Sequence, residues 1–351
     1  MTKKLLNILS IALIYCGAVF GAGFASGREI FSFFSCYKMW GIVASFFSSF
    51  LFSFFGYHIC KITKNKKIEN TEEYLKELFP EGVAKIFSIL ANAFLVLSFC
   101  IMITGCGTLI FEQFNIPVVS GSLLSLVLCF FIIKNRISGL EKFNFFATPL
   151  MLAGVVGLCV LCFNLPKVSD ISSDAVAFPL FSGILYVSYN MVSAVAVLVS
   201  ASKIAQNEHE AAFGGILGGI LTGIPLVLMS VILAYHWEVA SFPMPFFALV
   251  HNNFSRFGVL CSIVLYLAML TTAVSSGVSV LDNIECKKSG KFALLLCLFA
   301  LFVSFLPFAQ LVLSVYSAFG VIGIVLIGAI FIKIAANKRN KLKTQRKIEK
   351  I

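Results

Sequence analysis

The chain has 351 residues, of which 59% are hydrophobic and 12% charged, with a mean hydropathy of +0.98. A soluble protein of this length keeps roughly a quarter of its residues charged, because its surface must face water; that excludes an aqueous globular fold and leaves lipid as the matching solvent. The net charge of +11 does not point to nucleic acid, since the basic residues fall in short loops and a C-terminal tail rather than on one folded face.

A helix needs about 20 apolar residues to cross roughly 30 Å of hydrocarbon. Ten such runs are read along the chain: Leu5–Phe34, Trp40–Ile62, Ala84–Phe111, Val118–Ile133, Leu140–Phe163, Phe178–Ser200, Ala211–Tyr235, Phe254–Leu281, Phe292–Phe305 and Phe308–Ile334. The fourth and ninth are short. Lys3 and Lys4 before an apolar run imitate a secretory leader, but apolar character continues to Phe34, so this is read as a first span. With the N-terminus inside, 23 of the 27 Lys and Arg residues lie on the inner side; Arg28, Lys38, Lys167 and Arg256 lie outside. Both termini are therefore expected in the cytoplasm of a multi-pass cell-membrane protein.

Within the cytoplasmic segment 63–83, Asn70–Phe79 is too polar to cross. Asn70 and Glu73 have the spacing of a helix cap. Tyr74, Leu75, Leu78 and Phe79 would share one side of that helix at the inner interface, unless the segment is a plain connector. The connector 164–177 lies outside the cell, and the lysine-rich tail 335–351 is expected to be disordered near anionic lipid. Residues 1–163 and 178–334 then hold five spans each. An odd number per half makes the second enter from the opposite face, so repeats built this way are inverted.

Gly17, Gly21, Gly23 and Gly27 fall within eleven residues of the first span. Each costs about 1 kcal/mol against alanine in a helix, which predicts unwinding there. Non-helical backbone survives in hydrocarbon only where it is buried in protein or lines a cavity. Its freed carbonyls suit a cation, and the N–H groups of the outer half-helix suit a carboxylate. The alternative role of these glycines is close helix packing.

GAVFGAGF resembles the glycine-rich first helix of the amino acid–polyamine–organocation transporters, and GAGFASGREIFSFF resembles the YkvI-like membrane proteins placed in that superfamily. The resemblance covers Leu5 to about Ile334. It implies an all-α polytopic membrane protein of the leucine-transporter type: about ten helices, a five-plus-five inverted repeat, and helices one and six broken. Gly21, Ala22, Gly23 and Phe24 in the first break, with Tyr186, Tyr189 and Asn190 in the sixth span, are then candidates for substrate contact. The alternative for the latter three is hydrogen bonding between helices. Leu270–Ser276 resembles the part of the eighth helix that completes a sodium site; carried over by position, the Thr271 and Thr272 hydroxyls would meet the carbonyls of Gly17 and Phe20. Such hydroxyls also bond back to their own helix as structural residues. In some proton-coupled relatives a lysine in the fifth helix replaces sodium; no lysine lies at mid-depth here, which favours sodium over a proton as coupling ion. No other cofactor is implied.

Arg28 and Glu29 lie eight residues past the break, about 12 Å along a helix, and are read as gating or proton-handling groups or as a solvated interfacial pair. Glu112 is a possible partner for Arg28. Asn92, Ser98 and Thr104 are the polar groups of the third span. Gly214, Gly215, Gly218, Gly219 and Gly223 form a small-residue packing face. Asp282 and Asn283 are expected near Lys3 or Lys4 as an inner gate, and Pro243–Pro245 as an outer lid. Enzyme motifs fail: His209-Glu210 lacks a second histidine, Ser289-Gly290-Lys291 lacks the upstream glycine of a phosphate loop, and Cys159 and Cys162 sit within an apolar run as packing residues. The reading is an ion-coupled transporter of a small organic solute, an amino acid or related amine. The alternatives are a small-molecule receptor on the same fold and, last, a channel. The oligomeric state is open.

Overall fold

The computed structural model describes residues 3–168, 170, 178–242, 244–283, 289–306, 311, 319–320 and 322–336, and these form helices without strands. In chain order they are α1 (Lys3–Val19), α2 (Ala22–Ala25), α3 (Arg28–Phe33), α4 (Lys38–Asn65), α5 (Thr71–Lys76), α6 (Glu81–Phe114), α7 (Val118–Ile133), α8 (Arg136–Cys162), α9 (Pro179–Ala201), α10 (Glu208–Tyr235), α11 (Pro245–Asn253), α12 (Gly258–Asn283), α13 (Ser289–Val303) and α14 (Ile322–Ala336). Among the described residues, six helices are long and apolar enough to cross a membrane, and α7, α13 and α14 are shorter apolar helices. The tail from 337, Pro243, Lys287, Lys288 and most of 307–321 lie outside the described residues, as do 171–177 of the outer connector.

The first span is interrupted at the glycines. α1 ends at Val19, Phe20 and Gly21 are non-helical, and the Gly21 N–H turns back to the Val19 carbonyl at 2.9 Å. After the single turn α2, Gly27 has φ +79°, a left-handed conformation that strains any residue with a Cβ. Its α-hydrogens face Phe246, whose Cβ would lie 2.7 Å from a methyl placed there.

The sixth span, by contrast, is one unbroken helix. No glycine or proline follows Gly183 within α9, so nothing in Ile184–Ala201 disfavours helical backbone. Its polar side chains bond back to their own helix: Ser188 to the Leu185 carbonyl at 2.8 Å, Asn190 to Tyr186 at 2.9 Å and Ser193 to Asn190 at 3.1 Å. The expected break in helix six is therefore corrected: the groups read as a sign of unwinding cap carbonyls within a regular coil. α9 is buried on every side from Tyr186 to Ala201 and forms the axis of the bundle.

The glycine face of α10 packs as its composition requires. Gly215 meets the backbone of Gly56 on α4, Gly219 meets Ser53, Gly223 meets Ser49, and Gly218 seats the Tyr15 ring of α1. Tyr15 donates to the Phe52 carbonyl at 3.0 Å, fastening α1 to α4. Small residues let backbones approach, so van der Waals contact and side-chain hydrogen bonds hold helices that the hydrophobic effect cannot drive together in lipid.

At the inner end, Asn70 caps α5 by accepting from the Glu73 N–H at 2.9 Å, as the spacing requires. The short helix packs against the bundle. Tyr74 and Leu75 are buried, and Thr71 donates through its N–H (3.2 Å) and hydroxyl (2.8 Å) to Asn283 of α12. The ten described cysteines, Cys159 and Cys162 included, are free thiols, and all but Cys36 are buried.

Candidate functional site

The break in the first span faces α12. Thr272 Oγ1 lies 3.0 Å from the Gly17 carbonyl and 2.9 Å from the Phe20 carbonyl. A hydroxyl carries one proton, so two carbonyls compete for it and three oxygens converge on one point at the end of α1. Thr271 does not join them. Its hydroxyl donates to the Ala268 carbonyl of its own helix at 3.0 Å, and its Cβ packs against Gly17. One turn of α12 places consecutive side chains about 100° apart, so only one of the two threonines addresses both carbonyls.

Beside this point is a small cavity of about 20 Å³, room for a single water molecule or small ion. It is lined by Ala18, Val19 and Gly21 from the break, Glu29 from α3, Phe94 and Ser98 from α6, Tyr189, Asn190 and Ser193 from α9, and Thr272 from α12. Four stretches distant in sequence meet here, the broken first span, α6, α9 and α12, with α9 buried among them. Glu29 accepts a hydrogen bond from the Tyr189 hydroxyl, so the outer half of the first span is latched to α9. Ser276 donates to Ser98 at 3.4 Å, joining α12 to α6.

Of the residues read as substrate contacts, Gly21, Tyr189 and Asn190 line the cavity. Ala22, Gly23 and Phe24 do not. The Gly23 Cα abuts the Glu29 carboxylate, and Phe24 is buried against Phe20 with ring centroids 3.8 Å apart. Tyr186 lies behind Tyr189 in an aromatic cluster with Phe33, Phe34 and Phe52. Of the third-span groups only Ser98 reaches the cavity. Asn92 instead accepts from Asn283 at 2.7 Å, and Thr104 bonds back to Cys100 at 2.9 Å.

Two expected pairings are replaced. Arg28 is exposed and donates to the Ala240 carbonyl at 3.1 Å rather than meeting Glu112. Asp282 meets Lys203 at 3.3 Å and Arg136 at 3.7 Å rather than Lys3 or Lys4; the inner ends of α8 and α9 are nearer to it than the chain terminus. The Phe246 N–H of α11, next to the Pro243–Pro245 segment read as a lid, donates to the Ser26 carbonyl in the turn after the break at 2.9 Å.

Sequence reading missed Phe94, Ser193 and the buried pair Asn144 and Thr148 on α8. Thr148 lies 3.2 Å from the Leu13 carbonyl and 2.9 Å from Asn144 Oδ1, which sits against Gly17. The signal available was two polar residues four apart in an apolar helix, which places them on one face.

No family model matches the chain. It is 26% identical to the uncharacterised membrane protein YkvI of Bacillus subtilis (strain 168) over 221 residues, which are 62% of this chain and 63% of YkvI, less than two-thirds of that relative's length. It is also 26% identical to the uncharacterised protein YyaD of the same organism over 266 residues, 75% of this chain and 77% of YyaD. Among solved structures it superposes on the substrate-bound outward-open state of a Na+-coupled sialic acid symporter with a TM-score of 0.65 and 16% identity, covering 92% of this chain and 76% of that one. A manganese transporter of Eremococcus coleocola gives 0.56 and 13%, covering 94% and 77%. By sequence this chain is similar to the membrane protein YkvI and to YyaD, and it shares the fold of the symporter on which it superposes.

Proposed function

We propose that this protein is an ion-coupled secondary transporter of a small organic solute, an amino acid or related amine, working by alternating access. One observation carries the reading: the first span breaks at Phe20–Gly21, and the Gly17 and Phe20 carbonyls meet Thr272 beside a cavity shared by α1, α3, α6, α9 and α12. Irregular backbone in the membrane is tolerated at such a place because it binds something. The chain crosses the cell membrane ten times in two inverted halves, with both termini in the cytoplasm.

Sodium is the coupling ion in this reading. The Gly17 and Phe20 carbonyls and the Thr272 hydroxyl form an oxygen-only set that suits a hard cation. A bound cation would accept lone pairs from all three, where one proton serves two carbonyls. Asp282 with Lys203 and Arg136, and Asn283 with Thr71 and Asn92, tie α12 to α5, α6 and α8 and to the turn after α9 at the cytoplasmic end. These ties close the inner path, and the Glu29–Tyr189 bond closes the outer one. A solute crosses by breaking one set while the other holds.

The test is solute uptake by the purified protein in proteoliposomes, with an inward sodium gradient and with potassium in its place. Sodium-dependent accumulation supports the proposal. Uptake that ignores both sodium and proton gradients counts against coupling, and solute binding without flux would favour the receptor reading.

A further inference from the structure

Where α4 stops and α10 begins, the chain encloses a second pocket of about 520 Å³ that shares no residue with the cavity at the break. Its walls are the turns after α4 and after α9, and nearly all its lining residues are polar. Lys64 and Lys203 are half-buried in it, while Lys67 and Glu69 are exposed. The other acidic group, Glu208, already accepts from Asn65 Nδ2 at 2.9 Å. Lys203 gives one of its three ammonium donors to Asp282 at 3.3 Å, and Asp282 meets Arg136 as well, so Lys203 keeps donors and positive charge to spare. The Lys64 ammonium has no partner among the described residues.

The floor of the pocket points to a ligand independently of these charges. Thr63 lines it, is 2% exposed, and its hydroxyl has no hydrogen-bond partner among the described residues. A threonine within a helix ordinarily settles on the carbonyl four residues back, as Thr104, Thr108 and Thr222 do. A buried hydroxyl left unpaired is unfavourable, and the pocket is the side from which a partner can reach Thr63. The N-terminus of α10 does not supply the attraction, because Asn207 accepts from the Glu210 N–H at 2.9 Å and Glu210 from the Gln206 N–H at 2.9 Å. The lysines do. A phosphate offers three oxygens to the two ammonium groups and the hydroxyl, where a carboxylate offers two, and lysine binds phosphate as a point charge. The volume lies within the roughly 300–1,000 Å³ of small-molecule sites.

We propose that this pocket binds the phosphate of a small phosphorylated molecule or of an anionic lipid headgroup, with Lys64 and Lys203 meeting its charge and Thr63 donating from the floor. The occupant is an effector and not the solute of the cavity at the break. It clamps the turn after α4 to the turn after α9, and because Lys203 also holds Asp282 of α12, its arrival bears on the ties at that end of the bundle.

The test is a thermal-shift and equilibrium-binding series on the full-length protein. The soluble probes, added in detergent as potassium salts, are inorganic phosphate, AMP and ATP, with succinate as a carboxylate control and potassium chloride at matched ionic strength. They run to about 10 mM, where a site of millimolar Kd nears saturation. Phosphatidylglycerol is compared with phosphatidylcholine in nanodiscs. At least one phosphate probe is expected to raise the Tm above its control; a soluble one identifies a free ligand, and phosphatidylglycerol alone identifies a headgroup. Lys64→Gln should weaken that binding at least tenfold, the loss of one charge-assisted hydrogen bond, and Lys64→Arg should stay within a few-fold of wild type. Thr63→Val should weaken binding several-fold while the unliganded protein melts no lower than wild type, since the deleted hydroxyl had no partner. Lys85→Gln, at an exposed lysine outside the pocket, should bind as wild type does and controls for bulk charge. A Tm that no phosphate probe moves beyond its control, stabilisation by succinate alone, or a folded Lys64→Gln or Thr63→Val protein that binds like wild type overturns the proposal.

Discussion

Replacing Thr272 by valine tests the ion site at a single oxygen. Valine matches threonine in shape but deletes the hydroxyl that lies 3.0 and 2.9 Å from the Gly17 and Phe20 carbonyls. Thr272 is buried, with 5% of its surface exposed, so water does not readily take its place. A buried acceptor left without its donor costs about 1–3 kcal/mol; one proton served two carbonyls, so the loss without sodium is about one such penalty. In sodium the loss is larger. Wild type gains about 2.7 kcal/mol of binding free energy at a sodium concentration a hundredfold above its Kd, and the variant forfeits that gain as well. Thermal unfolding of the purified protein in sodium and in potassium reads both terms. Wild type should melt higher in sodium, Thr272→Val should melt lower than wild type in both salts with no difference between them, and Thr272→Ser should keep the sodium response. A valine variant that retains the full sodium shift would refute the assignment of Thr272 as a ligand.

Gly27→Ala should lower stability by about 2–4 kcal/mol, the sum of a left-handed penalty and overpacking against Phe246, seen as a clear drop in Tm. Asp282→Asn should loosen this end of the bundle by releasing Lys203 and Arg136; hydrogen exchange should rise at the last turns of α12 and the first turns of α6 while the opposite ends are unchanged. Glu77 is bonded to Lys66 and Lys333, and these cations hold its carboxyl below the usual carboxylate value. Because the unfolded chain takes up the proton first, this contribution is present above about pH 4.3 and is lost as pH falls through the lower folded value. Glu77→Gln should cost at most about 1 kcal/mol at neutral pH, a difference that closes once Glu77 of the wild type is protonated.

How far the molecule could be read in advance depended on whether a feature is local. The break at Phe20–Gly21 was legible because glycine disfavours helix wherever it stands. The α5 cap was legible because Asn70 and Glu73 are three apart. The carbonyls facing Thr272 were reached through resemblance, since periodicity alone does not say which residues of α12 look at α1. The continuity of α9 was misjudged for a physical reason: Ser188 and Asn190 are polar enough to suggest an opened helix, yet each satisfies itself on a carbonyl one turn back. The partners of Asp282 were beyond reach, because they depend on how the start of α8 and the turn after α9 come together. Asn144 and Thr148 were overlooked among apolar neighbours, and only the close approach of α8 to Gly17 gives them meaning.

The bond from the Phe246 amide to the Ser26 carbonyl joins main chain to main chain, so of single substitutions only proline at 246, which lacks the N–H, removes its donor. Any swing of the segment after Gly27 must either drag the helix Pro245–Asn253 along with it or snap that link first. Antibodies that clamp this peripheral helix would thereby restrain the broken span from a distance, without entering the cavity at all.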